Sequence, residues 1–376
     1  MRKSSSFYSI LDEDKNHIRL ISILPVSSPE NQSVIHCTIE QVSLSDFALP
    51  YRQFVSAHNT TERNTRKLLS SWIKINSRIS NHPDGGFDLS SDPSLYRYEW
   101  GDYETLSYTW GDPTDTRGIV IDGEGFRVTA NLEAALRSLR LKHRFEGRYR
   151  LWVDTICIDQ ENLHERARQV AKMREIYAIS FAAVGWLGEE KDGSEQALEL
   201  LDNLASFYDP AHDFKAKDLV EKLKDDPSYL GTGCWLALCS LFERSYWSRL
   251  WVIREIAMSS SDMIMHCGGK SLSWERLCLG MGIIHRYLWQ VKDSCLAYDR
   301  QVAGLNGPWR WPVRHLNKIW KDLYPISQLE RRGERHLDFM RLLDLASVSE
   351  CSDPRDRVFG LLALMDKRLA ARISPN

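Results

Sequence analysis

Long apolar runs are missing from this chain, and so is a surplus of either charge. No stretch approaches the roughly 20 consecutive apolar residues of a membrane span. The start, Met1-Arg-Lys-Ser-Ser-Ser-Phe-Tyr-Ser-Ile10, lacks the apolar core of a signal peptide. Lysine and arginine total 49 against 51 acidic residues, so no net field draws the protein to nucleic acid or to an anionic membrane. No nucleic-acid-binding module is present either. The cysteines, 8 in 376 residues, show no paired spacing, which argues for reduced thiols and a cytoplasmic setting rather than a disulfide frame. The sequons at Asn31 and Asn59 are then chemically idle. Neither Cys234 with Cys239 nor His266 with Cys267 has a second ligand pair, so no metal site and no tightly bound cofactor is expected. Gly269-Lys270-Ser271 lacks the first glycine of a phosphate-binding P-loop, which would fall at Ile264. No internal repeat is found.

What is present is organised around residues 150–188. Arg150-Leu-Trp-Val-Asp-Thr-Ile-Cys-Ile-Asp159 reads as a strand buried on both faces. Asn162 followed by Glu165 has the spacing of a capping box. Val170, Met173, Ile176 and Tyr177 then recur at helical spacing, before a second apolar run, Phe181 to Gly188. Strand, amphipathic helix and strand make a βαβ unit. Ligands gather at the carboxyl ends of such strands, near Asp154 and Asp159.

The expected fold class is α/β: a mostly parallel sheet flanked by helices, with added N-terminal strands and a helical C-terminal extension. Residues 1–47 supply a polar lead and two strands, Ile18–Leu24 and Val34–Ile39, read as a hairpin at one edge. Residues 48–102 break the pattern and are read as an insertion, with a helical piece from Glu62 to Ile79 and a loop at Asn81-His-Pro-Asp-Gly-Gly86. The α/β domain occupies 103–273. Within it, Tyr103–Pro113 is a strand and turn, Ile119–Val128 a small hairpin around Asp122-Gly123, and Asn131 the cap of a helix from Leu132 to Leu141. Further helices are expected at Glu195–Phe207, Cys234–Phe242, Tyr246–Met258 and Trp274–Val291, and a strand at Met263–Cys267. Residues 209–230 are loosely patterned. The 274–376 extension reads as irregular over 296–330 and helical at Asp338–Leu345 and Val358–Leu364. Its stop soon after Met365 is expected of a chain that continues in the natural protein.

Four pieces, in this order, resemble the fungal heterokaryon incompatibility (HET) domain: Leu106-Ser-Tyr-Thr-Trp-Gly-Asp112; Leu151-Trp-Val-Asp-Thr-Ile-Cys-Ile-Asp-Gln160; Glu165-Arg166 with Gln169-Val170; and Trp247-Ser-Arg-Leu-Trp251 with Glu255. Asp353-Pro-Arg-Asp-Arg-Val-Phe359 is similar to a segment that follows such domains. The departure is residues 48–102, where HET proteins usually pass directly to the Tyr-x-x-Leu-Ser-Tyr strand. The resemblance implies a role in fungal non-self recognition and programmed cell death. HET domains are in turn similar to TIR domains, flavodoxin-like α/β modules of innate immunity of which some cleave NAD, so the resemblance implies a TIR- or flavodoxin-like sheet. A TIR domain opens with a strand ending aromatic-Ser-aromatic and carries its NAD-cleaving glutamate four residues after a tryptophan. Ser107-Tyr108 and Trp251-Val-Ile-Arg-Glu255 match those features, although some sixty residues separate Gly188 from the second of them.

On one continuous helix Trp247, Trp251 and Glu255 would share a stripe. A carboxylate there can stabilise the positive charge that builds on ribose as the nicotinamide bond breaks. The resemblance therefore makes Glu255 the catalytic residue of an NAD- or NADP-cleaving hydrolase; the alternative has both indoles in the core and Glu255 paired with Arg249 or Arg254. Ser107, Tyr108, Trp110, Gly111 and Asp112 lie where the first strand meets its loop. With Asp154 and Trp251 they are the expected substrate-binding residues, Gly111 letting the backbone approach a phosphate or base. Asp154 has the alternative of capping the Glu165 helix and pairing with Arg166. Cys157 beside His164 suggests a nucleophile, but a cysteine within an apolar run reads as inert core. The implied partners are an NAD-like nucleotide, further copies of the chain in an oligomer formed on activation, and an incompatibility partner protein. A second reading keeps the death output but removes the chemistry, with self-association and recruitment as the activity.

Overall fold

The computed structural model describes residues 7–12, 14–26, 33–58, 68–69, 71–72, 75, 93–141, 150–208, 214–259, 263–306, 311–312, 315, 318–327, 339–347, 349–351, 354–361, 364–365 and 372. The sequons, the 81–86 loop, most of the expected 62–79 helix and Asp353 lie outside them. The chain divides into two units, residues 1–188 with 258–260, and residues 189–257 with 261–376.

In the first unit β1 (His17–Ile23) and β2 (His36–Ser43) form the expected hairpin, with Ile18 opposite Val42 and Ile23 opposite Cys37. The hairpin is not at an edge. β1 is buried on both faces from Ile18 to Ile21, so an edge position would expose apolar surface, and its free side takes another strand. After α1 (Leu49–Ala57) come β3 (Tyr103–Tyr108), β4 (Thr116–Ile121) and β5 (Glu124–Thr129). Asp122 and Gly123 join β4 to β5 with φ values of 48° and 83°, the paired left-handed conformation of a tight hairpin. α2 (Ala130–Leu139) buries Leu132, Ala135, Leu136 and Leu139 as the periodicity requires, but it starts two residues earlier than expected. Asn131 is therefore inside the helix and Thr129 holds the cap position.

β6 is only Arg150–Trp152, and a helical turn follows at Asp154–Cys157. The run read as one long strand thus bends at Val153, whose carbonyl accepts the N–H groups of Ile156 and Cys157 at 3.0 and 2.7 Å. α3 (Leu163–Ile179) is capped as its sequence predicts, Asn162 Oδ1 accepting from Glu165 N at 3.1 Å. Its apolar face is fastened to β3: Tyr103 Oη donates to Ile176 O at 2.7 Å and Tyr177 Oη to Leu106 O at 3.2 Å. β7 (Ala183–Trp186) closes the βαβ unit.

The strand order in this unit is β5-β4-β2-β1-β6-β3-β7. Pairing is parallel for β2 with β4 and for β3 with both β6 and β7; it is antiparallel for β4 with β5, β1 with β2 and β1 with β6. The sheet is mixed rather than mostly parallel, because β1 enters between β2 and β6 running against both. Only β6-β3-β7 form the parallel centre, and their carboxyl ends share one margin.

The 48–102 segment leaves and returns at one place, where Phe47 bridges Tyr98 and Ala48 N donates to Arg97 O at 2.8 Å. Arg97 and Asp102 form an ion pair at 1% and 0% side-chain exposure beside that junction.

In the second unit α4 (Ser194–Ala205) lies close to its expected bounds, α5 (Phe214–Asp225) falls in the span read as loosely patterned, and α6 (Cys234–Phe242) has its expected bounds. The Tyr246–Met258 helix is broken. A 3₁₀ turn covers Ser245–Ser248, Arg249 is extended at φ −65° and ψ 138°, and α7 begins at Trp251, running Trp251–Met258. β8 (Ile264–Cys267) and β9 (Lys270–Ser273) form a hairpin, followed by α8 (Trp274–Arg286). α9 (Lys292–Val302) runs into the stretch expected to be irregular, and its buried Asp299 accepts from Gly233 N and Trp235 N at 2.6 and 2.9 Å and so caps α6. α10 (Phe339–Ser347) lies close to its expected bounds. No helix among the described residues is long and apolar enough to cross a membrane.

Candidate functional site

The carboxyl margin of β6-β3-β7 brings three of the expected residues into direct contact. Tyr108 Oη donates to Asp154 Oδ1 at 3.1 Å and lies 2.7 Å from Thr155 Oγ1. Trp110 Nε1 donates to Asp154 Oδ2 at 2.9 Å, and Thr155 N donates to Oδ1 at 2.7 Å. The carboxylate is thereby oriented by a phenol, an indole and a backbone amide drawn from two strand ends. Tyr108 is buried, whereas Trp110 is 47% exposed with its indole N–H anchored. A ring held by its polar edge offers an ordered apolar face to a planar partner. Asn162, not Asp154, caps α3.

The neighbouring residues play unequal parts. Gly111 has φ +79°, a backbone that a side chain would strain. Asp112 closes its own loop: Oδ1 accepts from Thr114 N and Thr114 Oγ1 at 2.8 and 2.7 Å, and the Thr114 hydroxyl, then its backbone N–H, hold the carboxyl below its usual range. Ser107 lies in β3 at 0% exposure, beneath the margin and closed to solvent.

Trp251 and Glu255 belong to the second unit. They keep their one-turn spacing on α7, with Glu255 4% exposed and Trp251 half-buried under Arg254, whose guanidinium carbon is 4.3 Å from the ring centroid. Trp247 leaves the expected stripe because the helix does not extend back to it. It is fully buried, packs on Phe242 and Tyr246, and donates Nε1 to Leu241 O at 3.0 Å.

The span from β3 through Glu255 that carries these features, residues 103–255, matches the family model described as heterokaryon incompatibility protein (HET). This is a HET-domain protein. The chain is also similar to heterokaryon incompatibility protein 6, OR allele, of Neurospora crassa, 31% identical over 306 residues, which make up 70% of this chain and 42% of that relative. It thus spans less than half of the relative's length. No solved structure matches it.

Two further side chains, neither of them marked by a local motif for this margin, organise the HET domain around it. Arg19 on β1, 1% exposed, makes a two-pronged ion pair with Glu165, Nη1–Oε1 2.6 Å and Nη2–Oε2 2.9 Å. It also donates to Cys157 O at 3.2 Å and Ser9 O at 2.5 Å. Glu165 in turn accepts from Asp159 N at 2.8 Å, so one guanidinium fixes the whole Asp154–Asp159 turn. The available signal was an arginine inside an otherwise apolar strand. Asn131 is the second: Nδ2 donates to Thr109 O at 2.6 Å and Oδ1 accepts from Trp186 Nε1 at 3.0 Å. Cys157 sits on the helical turn rather than in a strand, 1% exposed, and burial pushes its thiol up to about 12, which is the chemistry of a structural cysteine.

Proposed function

We propose that this HET domain acts in fungal non-self recognition and programmed cell death by hydrolysing the nicotinamide–ribose bond of NAD or NADP. The observation that carries the reading is Trp110, about half exposed and tied by its indole N–H to Asp154 at the carboxyl margin of three parallel strands. That margin is where open α/β sheets bind nucleotides, and an anchored indole stacks a flat base. Asp154, beside it, suits ribose hydroxyls. Glu255 is assigned the catalytic role. As the carbon–nitrogen bond breaks, its electron pair leaves with neutral nicotinamide and the sugar becomes cationic; the carboxylate stabilises that charge until water adds and releases a proton. Likeness of residues 107–108 and 251–255 to TIR domains supports the same assignment, and the similarity to an incompatibility protein supports the setting in non-self recognition. Activity is expected in an oligomer, formed on contact with an incompatibility partner.

The low exposure of Glu255, 4%, favours a second reading in which the domain signals by self-association and recruitment without chemistry. The test is to assemble the protein, incubate it with NAD, and follow nicotinamide release beside Glu255→Gln. The enzymatic reading expects release that falls at least about a hundredfold in the variant. Release that survives the substitution removes Glu255 from the mechanism, and none from any assembled state leaves the recruitment reading.

A further inference from the structure

We infer that Asn131 is a positioning residue that sets the Trp110 indole for its planar ligand, a role resting on the nucleotide reading above. The amide stands in the first turn of α2, where its sequence context predicts a cap, yet it bonds across the sheet margin instead. Its orientation is fixed by its partners' chemistry. Trp186 Nε1 can only donate and the Thr109 carbonyl can only accept, so Oδ1 must face the first and Nδ2 the second. One side chain thereby ties the last residue of β7 to the residue that follows β3. Thr109 immediately precedes Trp110, so fixing its carbonyl fixes the peptide that launches the indole towards Asp154.

Gly111 completes the arrangement from the other side. It has φ +79°, and a Cβ built there would lie 3.3 Å from Asn131 Cβ. The loop backbone thus passes close to Asn131 on both sides of Trp110. Half-exposed and reaching the sheet through one N–H bond to Asp154, the indole depends on this backbone anchor for its plane. An amide suits the place because it offers a donor and an acceptor on separate atoms of one short, uncharged stem.

The consequence is specific. Asn131 touches no ligand; it acts through Trp110, which contacts the base in ground and transition states alike. Its loss therefore weakens binding uniformly, raising KM and leaving kcat.

Two variants separate positioning from mere folding. Asn131→Leu removes both bonds, whereas Asn131→Asp keeps an acceptor for Trp186 and turns an oxygen against Thr109 O. The first readout needs no ligand: the indole 1H–15N resonance of Trp110, identified by its disappearance in Trp110→Phe, moves towards the unbonded position in both variants. The second is a cycle in NAD binding. Asn131→Leu weakens binding about tenfold in the wild-type background and less than about twofold in Trp110→Ala. An unmoved resonance in both variants overturns the inference, as does an equal loss in both backgrounds. If Trp110→Ala leaves NAD binding intact while the resonance still moves, the nucleotide reading fails and the mechanical link between Asn131 and Trp110 stands.

Discussion

Arg19 offers the sharpest quantitative test of how the Asp154–Asp159 turn is held. Replacing it with methionine keeps most of the side-chain volume and removes four hydrogen bonds, two to Glu165 and one each to Cys157 O and Ser9 O. Breaking a buried ion pair by deleting one partner costs about 3–5 kcal/mol, because the remaining charge is stranded. The Glu165 side chain is 12% exposed, so some water reaches it and the low end, about 3 kcal/mol, applies. A chain of two units has no single unfolding free energy, so the assay is native-state hydrogen exchange. Amides of the turn, including Cys157 and Ile158, bond to Val153 O and Asp154 O at 2.7 and 3.2 Å. A loss of 3 kcal/mol speeds their exchange by roughly two orders of magnitude. Adding Glu165→Leu removes the stranded carboxylate and recovers about half the loss. Exchange accelerated less than about tenfold by Arg19→Met would refute the reasoning. So would a double variant as unstable as the single, since the cost would then not be the uncompensated charge.

Two further predictions concern Cys157 and Lys318. Because burial pushes the Cys157 thiol up to about 12, almost none of it is thiolate at pH 8, and alkylation of the native protein should modify the part-exposed Cys351 first; peptide mapping that finds both labelled at one rate would contradict the structural role. Lys318, 2% exposed, donates Nζ to Trp247 O at 2.8 Å, Arg249 O at 3.3 Å and Ser349 Oγ at 2.9 Å. Lys318→Met leaves those acceptors unmet at a cost of about 2–3 kcal/mol, visible as faster exchange over residues 247–256, whereas unchanged exchange there would show that the lysine is not what holds the connection.

The parts of this fold written in short-range pattern could be read directly. Asp122-Gly123 between two alternating runs predicts the tight turn that forms, and Asn162 with Glu165 predicts the start of α3. The candidate residues Tyr108, Trp110 and Asp154 were legible because one lies at a strand end and the others just beyond one. Where distant chain decides the geometry, pattern misleads. Arg150–Asp159 is apolar and β-branched either as a strand or as a strand that bends into a buried helical turn, since both hide Ile156 and Cys157. The Trp247–Glu255 periodicity is helical throughout, yet Arg249 is extended because it bridges Glu350, whose carbonyl takes Leu250 N at 2.9 Å. Nothing within ten residues of Arg249 announces that partner. β1 looked like an edge strand because its own hairpin is local, while its pairing with β6 spans more than a hundred residues.

The account depends on a nucleotide meeting the margin formed by Tyr108, Trp110 and Asp154. The direct measurement is photolabelling of the assembled protein with an azido-adenine analogue of NAD, followed by peptide mapping with and without excess NAD. The account predicts label on the peptide spanning Thr109–Asp112, suppressed by NAD. Label that NAD does not compete, or competed label confined to other peptides, would contradict it.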